Sequence, residues 1–147
     1  MLRLALGSDH GGFKLKTELL DYLRKQDIDC CDFGTYSSAS VDYPDVAQIV
    51  AKAVAAREYE RGILCCGTGI GVCIAANKVS GIRAALCHDT FSARMSIEHN
   101  MANILTLGER VIGFGLAKEI VKTWLNACFA GGRHAERLKK IAAIEKK

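Results

Sequence analysis

Five short apolar runs punctuate this chain, and patterns typical of helices separate them. The runs cover residues 2–7, 28–33, 62–66, 82–87 and 104–107. Each has the length of a strand, and most do not alternate between polar and apolar residues, which is typical of strands covered on both faces. The run over 28–33 is the weakest of the five. This order favours a parallel β-sheet, because parallel strands need crossover helices between them.

Helical spacing accounts for most of the intervening chain. A helix is predicted over 13–26, and another from the apolar stripe between Val46 and Val54, with Asp42 and Pro44 at its start. Further helices are predicted over 91–98, around Leu116–Leu125 and over 133–144. We therefore predict an α/β fold: one Rossmann-like three-layer αβα sandwich over residues 1–147, with a five-stranded parallel sheet and an extended C-terminal helix.

Composition narrows the range of partners. Half of the 147 residues are hydrophobic, enough for a core in a single domain. The net charge of +4 lies within residues 133–147, where six Lys and Arg face two Glu. An even basic surface for nucleic acid is thus not expected, whereas a local anion site is. No apolar stretch suits a signal peptide or a membrane span, so we expect no membrane partner.

Seven cysteines are present, two pairs of them adjacent in sequence. Adjacent cysteines do not suit a disulfide framework, and no C-x-x-C zinc spacing occurs. The pattern is typical of a reduced, cytoplasmic protein without a metal. It leaves open a thiol-based redox function, which the missing C-x-x-C disfavours.

The residues after each strand are the candidates for chemistry, because ligands of open α/β sheets bind at the carboxyl ends of strands. Asp9 and His10 follow the first strand and precede two glycines. They suit acid–base work and anion contact. The alternative is that Asp9 only caps a helix and the glycines only turn the chain.

A glycine-rich loop, CGTGIG at 66–71, follows the third strand. Its alternating glycines leave backbone N–H groups free to converge on a negative charge. The loop is neither a dinucleotide fingerprint nor a Walker loop. A nucleotide cofactor stays an alternative, with Asp32 at the end of the second strand as the acidic residue that binds ribose.

Cys66 stands at the mouth of this loop, where a thiol beside a helix N-terminus can serve as base or nucleophile. Thr68 is placed to hydrogen-bond the thiolate. The alternative is an inert buried thiol, which is the expected state of Cys65 on the opposite face of the strand.

The remaining candidates come later in the chain. His99 and Asn100 end a helix, where a histidine can simply favour the dipole. Arg110 follows the fifth strand. Arg133 and Arg137 share one face of the last helix and suit a phosphate group, unless this helix is only a solvated basic tail. Such a set fits an aldose–ketose isomerase, which needs a base, donors for an oxyanion and a phosphate clamp.

The sequence resembles the type B ribose 5-phosphate isomerases, a family that includes galactose 6-phosphate isomerase subunits. The resemblance runs from residue 2 to about 145. Its matching segments are GSDHGG at 7–12, GT at 34–35, VDYPD at 41–45, CGTGIG at 66–71, IAANKVSGIRAALC at 74–87, EHNMAN at 98–103, GERVIG at 108–113 and GGRHAERL at 131–138.

The resemblance implies a role for each matched residue. Cys66 would be the base, supported by Thr68; the family's other branch uses a glutamate where this chain has Val72. His99 would open the sugar ring with help from Asp9. The substrate-binding residues would be His10, Tyr43, Gly67, Gly69, Ile70, Gly71 and Asn100, and the phosphate would meet His10, Arg110, Arg133 and Arg137.

The resemblance also implies a homodimer or dimer of dimers with shared active sites, a sugar-phosphate substrate and no cofactor. Ribose 5-phosphate and ribulose 5-phosphate are the expected pair. A six-carbon substrate, allose or galactose 6-phosphate, is the nearest alternative. A non-catalytic anion- or nucleotide-binding module is the alternative from another class.

Overall fold

One parallel sheet organises the molecule, as the alternating pattern predicts. The computed structural model describes residues 2–146. Its five strands are β1 (Arg3–Ser8), β2 (Asp29–Asp32), β3 (Arg61–Cys66), β4 (Ala84–Leu86) and β5 (Ile104–Gly108). They are ordered β2-β1-β3-β5-β4, and every neighbouring pair is parallel. The predicted fold class is confirmed.

Six helices complete the three layers. They are α1 (Phe13–Lys25), α2 (Tyr43–Ala55), α3 (Ile70–Ala76), α4 (Thr90–Glu98), α5 (Phe114–Asn126) and α6 (Arg133–Glu145), and a single 3₁₀ turn, His10–Gly12, precedes α1. Strand side chains alternate, so each strand serves two cores. One core joins the sheet to α1, α4 and α5, and the other joins it to α2 and α3.

One predicted strand differs from the observed one, and one observed helix was not predicted. The strand expected over 82–87 is only Ala84–Leu86, and it lies at the sheet edge, where pairing on one side alone supports it. The helix α3 was absent from the predicted elements, because seven residues are too few to display a full apolar stripe. It begins at Ile70, within the glycine-rich loop, and so fixes one side of the candidate site.

The C-terminal helix is extended, as expected. Among its residues only His134 is buried, and its far end meets the α3–β4 connection, where Glu145 accepts from the amide of Gly81 at 3.1 Å. The assignment of all 147 residues to one domain stays a prediction, and Met1 and Lys147 lie outside the described residues.

Candidate active site

Three adjacent strand ends bring the first group of predicted residues together. The amide of Asp9 donates to the carbonyl of Cys65 at 3.3 Å, linking the ends of β1 and β3. The amide of Glu109 donates to the carbonyl of Cys66 at 2.9 Å, linking β3 to β5, and that of Arg110 donates to Gly67 at 3.0 Å. Asp9, Cys66 and Arg110 therefore lie at the same carboxyl edge.

The Cys66 sulfur has a backbone donor. Its side chain is buried, and Sγ accepts from the amide of Gly69 at 3.1 Å. The predicted contact from Thr68 is wrong in this respect: the Thr68 hydroxyl is exposed and accepts from the amide of Ile70 at 3.2 Å. The hydrogen bond to this sulfur therefore comes from the loop backbone and not from the hydroxyl.

Gly69 is required by its conformation and its neighbours. Its φ is +78°, in the left-handed region that favours glycine. A Cβ there would stand 2.6 Å from Leu86 Cδ1 and 2.8 Å from the carbonyl carbon of Leu107. Only glycine lets the loop fold tightly against β5 and aim this amide at the sulfur.

The other loop glycines let two side chains lie over the loop. A Cβ on Gly67 would be 3.0 Å from a guanidinium nitrogen of Arg110, and one on Gly71 would be 2.6 Å from the ring of Tyr43. The side chain of Arg110 thus packs on Gly67 and the ring of Tyr43 packs on Gly71. The positive charge of Arg110 therefore lies next to the glycine-rich loop.

The Asp9–His10 pair is held by backbone donors. The Asp9 carboxylate is buried and accepts from the amide of Gly12 at 3.1 Å, so it caps the 3₁₀ turn. His10 Nδ1 accepts from the amide of Val41 at 3.2 Å. A neutral His10 with this bond carries its proton on Nε2, the nitrogen left for a ligand.

The second group of predicted residues lies at the amino ends of the strands, the opposite end of the sheet from Cys66. We call this end the amino edge, and the end with Cys66 the carboxyl edge. Arg83, which precedes β4, donates from Nε to the carbonyl of Asn100 at 3.1 Å. Asn103, which precedes β5, accepts from the amide of Gly62 near the start of β3. His99 and Asn100 are therefore at the amino edge, because α4 runs back across the sheet before β5 begins.

His134 joins this second group. Its ring stacks on His99 with centroids 4.2 Å apart and planes at 12°. Burial lowers the pKa of His134, and the neighbouring His99, Arg133 and Arg137 add to the effect. The start of α6 thus places Arg133 and Arg137 beside His99.

The length of the sheet separates the two groups within one chain. Gly62 and Cys66 are paired with Ile104 and Gly108 along the same ladder. Four strand residues span about 13 Å at roughly 3.3 Å each. The carboxyl-edge group comprises Asp9, His10, Tyr43, Cys66, Gly67, Thr68, Gly69, Ile70, Gly71 and Arg110. The amino-edge group comprises His99, Asn100, Arg133 and Arg137.

Two histidines near the predicted site residues, His134 and His88, were not predicted from the sequence to have a role. His134 stood within a matched segment but was not selected. His88 accepts at Nε2 from the amide of Gly108 at 3.1 Å, and burial lowers its pKa. The next residue, Asp89, caps α4 by accepting from the amide of Ser92 at 2.6 Å.

Two further sequence candidates are engaged elsewhere. Asp32, the acidic residue of the nucleotide alternative, pairs with Lys16 at 2.7 Å and accepts from the amide of Gly34 at 2.9 Å. Cys65 is buried in the core, and burial raises the pKa of its thiol. Cys66 is therefore the reactive candidate of the adjacent pair.

The described residues contain neither a cluster of metal ligands nor a helix that could span a membrane. Within residues 2–146, no three His, Cys, Asp or Glu side chains are grouped as a metal site requires, and the metal-free site stays a prediction. In the same part of the chain, no helix combines the length and apolar character needed to cross a bilayer.

The fold and the site define an α/β protein with a thiol and a glycine-rich loop at the carboxyl ends of its parallel strands. The profile of the Ribose/Galactose Isomerase family matches residues 4–141, and the chain belongs to that family. The family resemblance seen in the sequence is thereby confirmed.

Individual relatives are similar over their full lengths. A ribose-5-phosphate isomerase B structure from Clostridium thermocellum has a TM-score of 0.98 at 58% identity, covering 99% of this chain and 98% of that one. The ribose-5-phosphate isomerase B of Escherichia coli is 49% identical over 100% of this chain and 99% of its own. A D-erythrulose-4-phosphate isomerase of Pectobacterium atrosepticum is 47% identical over 99% and 96%.

Proposed function

We propose that this protein interconverts D-ribose 5-phosphate and D-ribulose 5-phosphate through an enediolate, with Cys66 as base and no metal. The observation that carries the proposal is the hydrogen bond from Gly69 N–H to the Cys66 sulfur within a glycine loop at the carboxyl edge. The names of the Clostridium and Escherichia relatives support the choice of sugar.

The proton transfer is assigned to Cys66. As a thiolate it removes the proton from C2 of the aldose, next to the carbonyl, and returns it to C1. The hydroxyl proton on O2 passes to O1, which completes the ketose. Gly69 N–H already donates to the Cys66 sulfur, and Ile70 N–H already donates to the Thr68 hydroxyl. We therefore assign the oxyanion of the enediolate to two other amides of the loop, those of Gly67 and Gly71. Donors fixed before reaction stabilise such charge most effectively.

The other predicted residues are assigned to ring opening and to binding the sugar and its phosphate. We assign ring opening to His99 as proton donor, with Asp9 assisting at the ring and C1 oxygens. Asn100 holds a sugar hydroxyl, and the Tyr43 ring on Gly71 forms a wall of the site. His10, Arg110, Arg133 and Arg137 hold the phosphate, which supplies binding energy away from the reacting carbons.

These roles require a second copy of the chain. The base and the proposed ring-opening acid lie at opposite sheet edges, about 13 Å apart along the strands. A small sugar phosphate reaches both only if one copy supplies the carboxyl-edge group and its partner supplies the amino-edge group. Half-exposed Ile49, Ile70 and Ile74 on α2 and α3, beside the glycine loop, support a homodimer with two shared sites. A dimer of dimers satisfies the same requirement.

The same observations fit a cytoplasmic, metal-free enzyme without nucleic-acid or membrane partners. All seven cysteines are free thiols in the structure, which suits a reducing compartment. The cationic residues assigned to a ligand are few and local, as expected for a small phosphorylated substrate rather than a nucleic acid.

Substrate length is the open choice, and one comparison decides it. We expect kcat/KM for ribose 5-phosphate to exceed that for allose 6-phosphate and galactose 6-phosphate. Erythrulose 4-phosphate belongs in the same panel, given the Pectobacterium relative. A tenfold preference for another sugar phosphate would overturn the substrate assignment, and binding without turnover of any sugar would favour the non-catalytic module.

A further inference from the structure

Lys16 is fully buried in α1, although lysine is among the residues least often found inside proteins. Its ammonium pairs with Asp32 Oδ1 at 2.7 Å and donates to the carbonyl of Thr35. The rings of Phe13 and Tyr36 lie within 5.5 Å of the nitrogen. No role proposed above uses this charge.

The ammonium secures a short segment against the end of β1. Gly34 N–H donates to the same Asp32 oxygen at 2.9 Å. The amide of Ser8 donates to the Gly34 carbonyl at 2.7 Å, and the amide of Thr35 donates back to the Ser8 carbonyl at 2.7 Å. We call Lys16, Asp32, Gly34 and Thr35 the lysine clamp.

The two chain segments that the lysine clamp joins, one at Ser8 and one at residues 34–35, both continue into the candidate site. Ser8 directly precedes Asp9 and His10. Beyond Thr35, the same connection supplies Val41, whose amide donates to His10 at 3.2 Å, and then Tyr43, whose ring lies against Gly71. The clamp therefore joins the two chain segments that face the Cys66 loop.

We infer that Lys16 is a positioning residue for the isomerisation, a role that rests on the proposed function. Its ammonium fixes residues 34–35 against Ser8 and thereby sets Asp9, His10 and Tyr43 relative to Cys66. Burying an ion pair adds little stability over an apolar pair of the same size. What the Lys16 ammonium provides is a fixed position for the Thr35 carbonyl, because an apolar side chain could not donate a hydrogen bond to it.

The test separates positioning from stability. Lys16→Met alone leaves Asp32 without its counter-charge and lowers the melting temperature. In the double variant Lys16→Met with Asp32→Asn, no charge is unpaired and the acceptor for Gly34 remains, so most of the melting temperature returns. We expect its kcat for ribose 5-phosphate to stay about tenfold to a hundredfold below the wild type, because misplacing catalytic groups by about 1 Å can slow an enzyme a hundredfold.

Hydrogen exchange provides a readout independent of turnover. Amides of residues 33–41 should exchange faster in the double variant than in the wild type. Lys14→Met is the matched control, because Lys14 is exposed on the same helix. It should leave both kcat and exchange unchanged.

A double variant with wild-type kcat and wild-type exchange would overturn the inference. If neither Lys16 variant folds, Asp32→Ala decides the question, because it removes the oxygen that both Lys16 and Gly34 N–H contact. A kcat within twofold of the wild type together with unchanged exchange over residues 33–41 would contradict the inference. Failure of the wild type and Lys14→Met to isomerise any sugar phosphate would refute the proposed function instead. Hydrogen exchange would then decide alone whether Lys16 fixes the segment, and unchanged exchange would overturn that role.

Discussion

The Cys66 sulfur lies 3.1 Å from the amide nitrogen of Gly69, whose left-handed conformation aims that N–H at the thiol. The backbone thus prepares the candidate base before any ligand binds. This relationship makes the loop's conformation, as much as the thiol itself, a requirement for the proposed chemistry.

Gly69→Ala should therefore damage both stability and chemistry. A Cβ at a positive φ costs about 1–2 kcal/mol, and the clash with Leu86 and the β5 backbone adds about 1–3 kcal/mol. The displaced amide also removes the hydrogen bond to the Cys66 sulfur, so kcat should fall as well. Gly81→Ala is the control, because Gly81 has φ +87° but open space around it. Equal losses in both variants, measured by chemical unfolding, would contradict the close-packing argument.

Acid should weaken the fold through His88. Burial lowers its pKa, so the folded ring stays neutral while the unfolded ring takes up a proton below about pH 6.5. The contribution of His88 to stability is therefore present above that pH and is lost as the pH falls toward the folded pKa.

His88→Gln isolates this contribution. The glutamine oxygen can still accept from Gly108 N–H but does not titrate. Between about pH 7.5 and 5, we expect the free energy of unfolding to fall more for the wild type than for the variant. Parallel pH dependences in denaturant titrations would rule out a role for His88.

Arg137 should act on binding rather than turnover. A charge-assisted bond to phosphate contributes about 1.5–3 kcal/mol, so Arg137→Ala should raise KM by roughly tenfold to a hundredfold and change kcat less. The control is Lys140→Ala, because Lys140 is exposed on the same helix; this variant should leave KM unchanged. Steady-state kinetics with ribose 5-phosphate measure both, and an unchanged KM for Arg137→Ala would remove it from the phosphate site.

The separated halves predict complementation between inactive variants. Cys66→Ala damages the carboxyl-edge group and His99→Asn the amino-edge group, so each homodimer has two defective sites. Mixing equal amounts and allowing subunits to exchange should restore about a quarter of the native sites, because half of the dimers are mixed and each regains one. Activity that does not recover after verified exchange would contradict shared sites.

The grouping of Asp9, Cys66 and Arg110 could be predicted from the sequence, because it depends only on where the strands end. Asp9, Cys66 and Arg110 each follow an apolar run, and parallel strands bring such residues to one edge. The position of His99 was readable by the same rule, since it precedes a strand. The bond from Gly69 to Cys66 was not, because a left-handed residue leaves no hydrophobic pattern. Burial of Lys16 was equally hidden, because its partner Asp32 is sixteen residues away and meets it only in the folded chain.

The most direct test of the account is the turnover and binding of Cys66→Ala beside Cys65→Ala. The neighbouring thiol faces the other core and is the matched control. We expect Cys66→Ala to lower kcat for ribose 5-phosphate by about 10²- to 10⁴-fold while calorimetry still detects sugar-phosphate binding, and Cys65→Ala to keep its turnover. Turnover by Cys66→Ala within a few-fold of the wild type would contradict the assignment of Cys66 as the base.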